Sequence, residues 1–358
     1  MSIRSNTAAS RVTPPLAARG LCASSRPYPL RARAMVLAVL AVGAALCVTL
    51  PEARAAAPMV GGQAPGYYRV MVRDIEVTAL SDGTIDFPMD ALLAGETPGQ
   101  IRAAYKSAFD KLPAETSMNQ FLINTGQKLV LVDTGAGVFF GPTLGHTLAN
   151  LRAAGYTPEQ VDEVVITHMH ADHTGGLVHD GARTFPNAEL RIAKADVDYW
   201  MNPANEAKAP EGVRASFMVA QKAISPYISA GKLKPLAGET SIVPGVRAVP
   251  APGHTPGHSF YVVESKGEKL LLWGDTVHSA DVQFTDPTVR IAWDSDDRAA
   301  EGMRAKVLAD AAKQGYLVGG SHLPFPALGH IAKAASGKAY VFLPASYSAN
   351  RPNTKSGD

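Results

Sequence analysis

Residues 164–176 read Val164-Val165-Ile166-Thr167-His168-Met169-His170-Ala171-Asp172-His173-Thr174-Gly175-Gly176. Val164-Val165-Ile166 is a short apolar, β-branched run, the pattern of a buried strand. The polar cluster behind it therefore stands at that strand's C-terminal end. In extended chain His168 and His170 project to the same side, and a turn after Ala171 aims Asp172 and His173 at a neighbouring position. Gly175-Gly176 lets the next segment begin close against that turn. Three imidazoles and a carboxylate this close together are donors for a transition metal, and they suit two adjacent ions better than one.

Outward from this stretch the arrangement recurs. Pro252-Gly253-His254-Thr255-Pro256-Gly257-His258 follows an apolar run from Val246 to Val249, and Gly274-Asp275 follows Leu270-Leu271-Leu272-Trp273. Ser321-His322 follows Tyr316-Leu317-Val318. Each is an apolar strand, a small residue and a candidate ligand, so one end of a sheet would gather all of them.

Between these points the pattern predicts a strand from Val70 to Ala79, interrupted near Asp74 and closed by a turn at Ser81-Asp82-Gly83. Helices are expected over 97–109, 142–154 and 299–313, and a helical stretch over about 195–230. Hairpins are expected at 121–132 and 259–273, and strands at 163–167, 188–192, 242–249 and 316–319. Strand runs and helices recur twice in similar order, the pattern of a layered α/β sandwich built from two ββα-type halves.

The N-terminus reads differently. Residues 1–34 hold six arginines and no acid, an apolar run spans Met35 to Leu50, and Ala53-Arg54-Ala55 follows. A positive region, an apolar run of this length and an Ala-x-Ala site describe a secretory signal peptide over 1–55, and the run is short for a membrane anchor. The expected product is periplasmic or secreted, without stable membrane association. Residues 56–66 are expected to form an N-terminal arm, 67–349 one domain carrying the candidate ligands, and 350–358 a polar tail.

Of 34 basic and 32 acidic residues, segment 1–55 holds seven and one, so the remainder carries 27 against 31, a net charge of −4. That balance gives no reason to expect nucleic acid as a partner. Both cysteines, Cys22 and Cys47, lie in the leader. The expected mature chain therefore has no disulfide and no thiolate ligand or nucleophile.

His-x-His-x-Asp-His, Gly-His-Thr-x-Gly-His and Gly-Asp, in this order, resemble the metallo-β-lactamase superfamily over residues 67 to 345. Longer stretches resemble its organophosphate-hydrolysing branch, the methyl parathion hydrolases, through Val77 to Thr84, Leu129 to Gly135, Gly141 to Gly145 and Ser321-His322-Leu323. The resemblance implies a four-layer αββα sandwich and a homodimer. It also implies two divalent ions bridged by Asp275, one held by His168, His170 and His254, the other by Asp172, His173 and His322. Asp133 would orient the ligand loop. With only nitrogen and oxygen donors zinc is the first choice, and cobalt, manganese or iron suit the same ligands.

Two close cations lower the pKa of a shared water, giving a hydroxide that attacks phosphorus or an ester carbonyl, with Asp275 and Asp172 as the catalytic carboxylates. The resembling family lines its entrance with aromatics at the positions of Phe140, Trp200 and Phe217. The residues alone leave these evenly divided between a pocket for an apolar or aryl substrate and ordinary core. His278, three residues beyond Asp275, stands where the organophosphate hydrolases are more apolar and is expected to line and narrow the pocket. Lactones and aryl esters thus rival organophosphate triesters as substrates. A lactonase or arylesterase with promiscuous phosphotriesterase activity is one alternative, and a non-catalytic periplasmic metal-binding protein is the alternative from another class.

Overall fold

The computed structural model describes residues 57–347 except 210 and 336. The expected signal peptide and polar tail lie outside the described residues. Among the described residues no helix is long and apolar enough to cross a membrane.

Two seven-stranded sheets follow each other along the chain. In sheet one the strands lie in sequence order: β1 (Tyr67–Val72), β2 (Ile75–Phe87), β3 (Ala114–Asn124), β4 (Leu129–Val132), β5 (Glu163–Val165), β6 (Glu189–Ala193) and β7 (Leu233–Leu236). β1 to β4 are antiparallel, and β4 to β7 run parallel. Sheet two is again sequential: β8 (Thr240–Val243), β9 (Val246–Pro250), β10 (Ser259–Ser265), β11 (Glu268–Leu272), β12 (Leu317–Gly319), β13 (Leu328–Lys333) and β14 (Tyr340–Pro344). β11 and β12 are parallel and the other neighbours antiparallel, so β9, β11 and β12 share one direction.

Strand alternation builds the layers. In β4, Val130 and Val132 face sheet two, where Tyr261, Val263, Leu270 and Leu272 lie in the same core cluster. Leu129 and Leu131 face the opposite way and pack with Leu151 of α2 (Thr147–Ala153) and Ile224 and Tyr227 of α5 (Glu211–Ser229). A strand covered on both faces needs an unbroken apolar run, which Leu129-Val130-Leu131-Val132 supplies. On the outer side of sheet two, Val307, Leu308 and Ala311 of α6 (Asp297–Gln314) pack into its cluster. The result is the expected αββα sandwich. Among the described residues the other helices longer than one turn are α1 (Pro98–Ser107), α3 (Lys194–Trp200) and α4 (Pro203–Lys208), and single helical turns stand at Met89–Leu92, Ala171–Thr174 and Ala280–Gln283.

Three expectations need correction. The strand does not turn at Ser81-Asp82-Gly83 but continues as β2 to Phe87, with a bulge between Ser81 and Gly83. The Asp82 side chain points inward there and accepts from the backbone N–H groups of Ala136, Gly145 and Thr147 and from the Thr147 hydroxyl. α2 begins at Thr147, not Pro142. Gly145 (φ 86°) is left-handed, and a Cβ there would meet the Gly137 carbonyl oxygen at 2.4 Å, so the chain must turn before a helix can start. The run 242–249 is two strands, β8 and β9, joined through left-handed Gly245.

The fourfold-accepting, fully buried Asp82 yields a stability prediction. Asp82→Ala leaves the buried N–H groups of Ala136 and Thr147, and the part-buried one of Gly145, without an acceptor and should destabilise the fold by roughly 3 kcal/mol. Urea unfolding of the two proteins measures this, and a loss under about 0.5 kcal/mol would mean water replaces the carboxylate.

Candidate metal centre

The ligand end of the sandwich is set by strand direction. β5 delivers Thr167 to His173 at its C-terminal end, while β9, β11 and β12 deliver His254, Asp275 and His322 at theirs. Cross-sheet bonds hold the two ends level: Ser259 N–H donates to the Thr167 carbonyl, Asn119 N–H to the Ser321 carbonyl, and the Tyr261 hydroxyl to the Ile166 carbonyl.

Two groups of donors result. His168, His170, His254 and Asp275 form one; Asp172, His173, Asp275 and His322 form the other. In the first, His168 Nε2 lies 3.0 Å from His170 Nδ1, which lies 3.1 Å from His254 Nε2. Asp275 Oδ2 is 3.3 Å from His254 Nε2 and 3.6 Å from His168 Nε2. In the second, His173 Nε2 is 3.3 Å from Asp172 Oδ2 and 3.2 Å from Asp275 Oδ1. His322 Nε2 is 2.9 Å from Asp275 Oδ2 and 3.5 Å from Asp172 Oδ2.

These separations fit a metal. Ligand atoms at about 2.05 Å from a tetrahedral ion stand about 3.3 Å apart. His173 Nε2 and Asp275 Oδ1 are moreover buried without a hydrogen-bond partner among the described residues, a costly state for polar atoms unless a cation joins them.

The outer partners fix each ring. His173 Nδ1 meets Asp133 Oδ2 at 2.8 Å, His254 Nδ1 meets Asp294 Oδ1 at 2.8 Å, and His168 Nδ1 meets the Thr167 hydroxyl at 3.1 Å. The Thr167 hydroxyl itself donates to Asp133, so it accepts from His168. Each ring therefore uses Nδ1–H outward and presents the Nε2 lone pair inward. His170 is reversed and presents Nδ1. His258 is neutral, its Nδ1–H donating to the Ala251 carbonyl and its Nε2 accepting the Asp275 N–H. Burial takes it down to about 3. Gly274 (φ 53°) is required there, because a Cβ would stand 2.6 Å from that Nε2.

Electrostatics divide the rings. Burial, helped by the neighbouring His173, drives His168 well below its ordinary value, and burial with His254 takes His170 down to about 3. Burial also opposes charge on His254, but the carboxylates of Asp275 and Asp294 outweigh it and hold that ring up at about 9. His173 and His322 are raised against burial by Asp275 and Asp172. Burial resists ionisation of Asp275, yet the surrounding imidazoles, His322 and His173 foremost, hold its carboxyl well below the usual range.

The expected pocket residues are placed differently. Phe217 is fully buried on α5 and packs 4.6 Å from the Trp200 ring, inside the core cluster of sheet one. Trp200 is itself buried and backs His170 at 5.5 Å. Both pack in the core, Phe217 at 0% and Trp200 at 3% exposure. Phe140 is 40% exposed in the loop 136–141, beside exposed Val138 and Phe139. His278 is buried as well. It is 2% exposed, with Nε2 3.1 Å from Asp275 Oδ2 and its ring stacked 5.1 Å from His322. Burial takes it down to about 4, so it is a neutral donor to Asp275. His146 and His179 are exposed.

Sequence reading missed Asp294, Asn119, Asp196 and Trp293. Asp294 follows Trp293 in a stretch without strand or helix periodicity, so nothing marked it. Asn119 N–H and side-chain amide clamp the His322 loop through the Ser321 and Leu323 carbonyls, a role visible only once the sheets face each other. Trp293 is partly buried, edge-on to Phe87 at 4.8 Å and to His278 at 5.6 Å.

The comparisons agree with this geometry. The crystal structure of hydrolase AbOPH in the β-lactamase superfamily superposes with a TM-score of 0.76 at 36% identity, covering 80% of this chain and all of that one. AidC, described as a dizinc quorum-quenching lactonase in complex with an N-acyl homoserine product, gives 0.73 at 27% identity, covering 79% and 98%. An N-acyl homoserine lactonase of Bacillus sp is 28% identical over 179 residues, 44% of this chain and 63% of that protein. Lactamase-like protein ptaB of Pestalotiopsis fici is 30% identical over 160 residues, 44% and 39%. The chain thus spans about four- to six-tenths of the length of these two curated relatives. Their kinship and the donor set support use of a divalent metal. The family model of the metallo-β-lactamase superfamily matches residues 115–322, more than half of the sequence, and the chain belongs to that superfamily.

Proposed function

We propose that the protein is a binuclear, zinc-dependent lactonase that also accepts aryl esters, adding water across an ester carbonyl. The observation that carries this reading is the pair of four-donor groups sharing Asp275. Its support from outside the chain is the likeness to AidC.

Two divalent ions held there would supply Lewis acidity and a water of lowered pKa. The chain's own residues do the rest. Asp275 faces both groups with its two oxygens, and His278 and His258 hold its carboxylate and backbone in place. Asp172 is the ligand-group carboxylate with side-chain exposure, 16% against 2% for Asp275. It is therefore the ligand-group carboxylate nearest solvent, and against burial the His173 and His322 imidazoles hold its carboxyl below the usual range, so it stays ionised as a charged ligand and acceptor.

The surroundings suit an apolar acyl or aryl portion. Exposed Val138, Phe139 and Phe140 lie on the loop that packs against Gly175, directly after the ligand turn. Partly buried Trp293 stands on the His278 side. Exposed aromatics gathered beside polar, perturbed groups are the composition of a small-molecule site.

Reconstituted protein assayed against acyl lactones, aryl esters and aryl phosphotriesters should show the highest kcat/KM on lactones. The margin over phosphotriesters should be about tenfold or more, about 1.4 kcal/mol of transition-state free energy. Phosphotriesters ahead of lactones would reverse the substrate assignment, and metal binding without turnover of any of them would leave only a metal-binding protein.

Zinc binding should also expel protons. In the metal-free protein the carboxylates of Asp275 and Asp294 hold His254 up at about 9 against burial, so that ring carries a proton near pH 7, and His173 and His322 are shifted in the same direction by Asp275 and Asp172. A ligand ring must be neutral, so zinc affinity rises as pH increases toward about 9 and falls in acid. Calorimetry in two buffers of different ionisation heat counts the protons, with one or more per chain expected at pH 7 and none contradicting the electrostatic account.

A further inference from the structure

Asp196 lies in the first turn of α3 and is fully buried, yet it belongs to neither donor group. One carboxylate oxygen, Oδ2, accepts the Met169 N–H at 2.9 Å and the Thr255 hydroxyl at 2.9 Å. The other, Oδ1, accepts the Gly257 N–H at 2.6 Å. Met169 lies between His168 and His170, and Thr255 and Gly257 follow His254. A single side chain thus spans the two loops that carry all three histidines of the first donor group; Asp172 and His173 lie further along the first of these loops, and the Asp275 and His322 segments receive no bond from it. Gly257 is obligatory for this approach, since a Cβ there would stand 2.5 Å from the Asp196 backbone nitrogen. Asp133 is the nearest counterpart: it grips His173 of the second group directly and reaches His168 of the first only through the Thr167 hydroxyl.

We infer that Asp196 is a positioning residue that sets the separation of His168 and His170 from His254, and so governs the affinity of the first metal position selectively. Rigid outer-shell support of ligands commonly contributes 10–100-fold to metal affinity. The carboxylate is suited to this because it accepts from three donors at once. An amide in its place would turn an NH2 toward one of them. This rests on the binuclear reading above.

The test is cadmium-113 NMR with chelator competition on the full chain and on Asp196→Asn, with Asp133→Asn as reference. The parent should show two cadmium resonances. Asp196→Asn should lose or weaken one by tenfold or more, and Asp133→Asn should weaken the other most, since Asp133 bonds His173 directly and His168 only through Thr167. Two unaltered affinities in Asp196→Asn, even with a lowered Tm, or equal weakening of both, would overturn the inference. Should Asp196→Asn fail to fold, Thr255→Val removes one of the three bonds and should weaken the same resonance alone; an unchanged pair would overturn it equally. A parent with a single resonance would instead sink the binuclear reading on which the inference stands.

Discussion

The carboxylate of Asp275 is the constraint around which the ligand end is built. Its Oδ2 lies within 3.6 Å of nitrogens from His168, His254, His278 and His322, and its Oδ1 is 3.2 Å from His173. A buried ion is tolerable only when its charge is met on every side. Those nitrogens come from both sheets, so β5 must end level with β9, β11 and β12. The Ser259–Thr167, Asn119–Ser321 and Tyr261–Ile166 bonds fix that level. Sandwich packing and site geometry are therefore one requirement.

A second tier of carboxylates surrounds the rings. Asp133 and Asp294 take the outward N–H groups of His173 and His254, which sets the tautomers and raises the basicity of the inward nitrogens. With Asp172 and Asp275 this makes four carboxylates at the centre. The raised His173, His254 and His322 show that, without cations, protons fill the same positive role. Divalent cations answer that charge more completely and join the orphaned His173 Nε2 and Asp275 Oδ1.

Much of this was legible in the sequence, for identifiable reasons. The seven donor residues lie directly after apolar strands, and a strand followed by a small residue and a ligand is a local signal. The sandwich was expected because strand runs and helices recur twice in similar order, and Leu129 to Val132 shows the layering, with its two faces covered by different clusters. What was not legible depends on tertiary approach. Asp82 looked like a turn residue because its hydrogen-bond partners, Ala136, Gly145 and Thr147, lie more than fifty positions away. Asp196 looked like any acid in a helix's first turn, and Asp294 lay in a stretch with no period. β13 and β14 were passed over because Gly329 and the flanking prolines interrupt their alternation. For Trp200, Phe217 and His278 residue type alone cannot distinguish a wall from a core, and in the fold all three are buried.

The central claim is that one carboxylate serves two metal positions. Metal content of the reconstituted protein and of Asp275→Ala, measured on the same preparations beside circular dichroism, tests it directly. The account predicts two ions per chain in the parent and loss of both in the folded variant, because each group of four loses a member. A folded variant that retains one tightly bound ion would show that Asp275 serves a single position, and the account would be wrong.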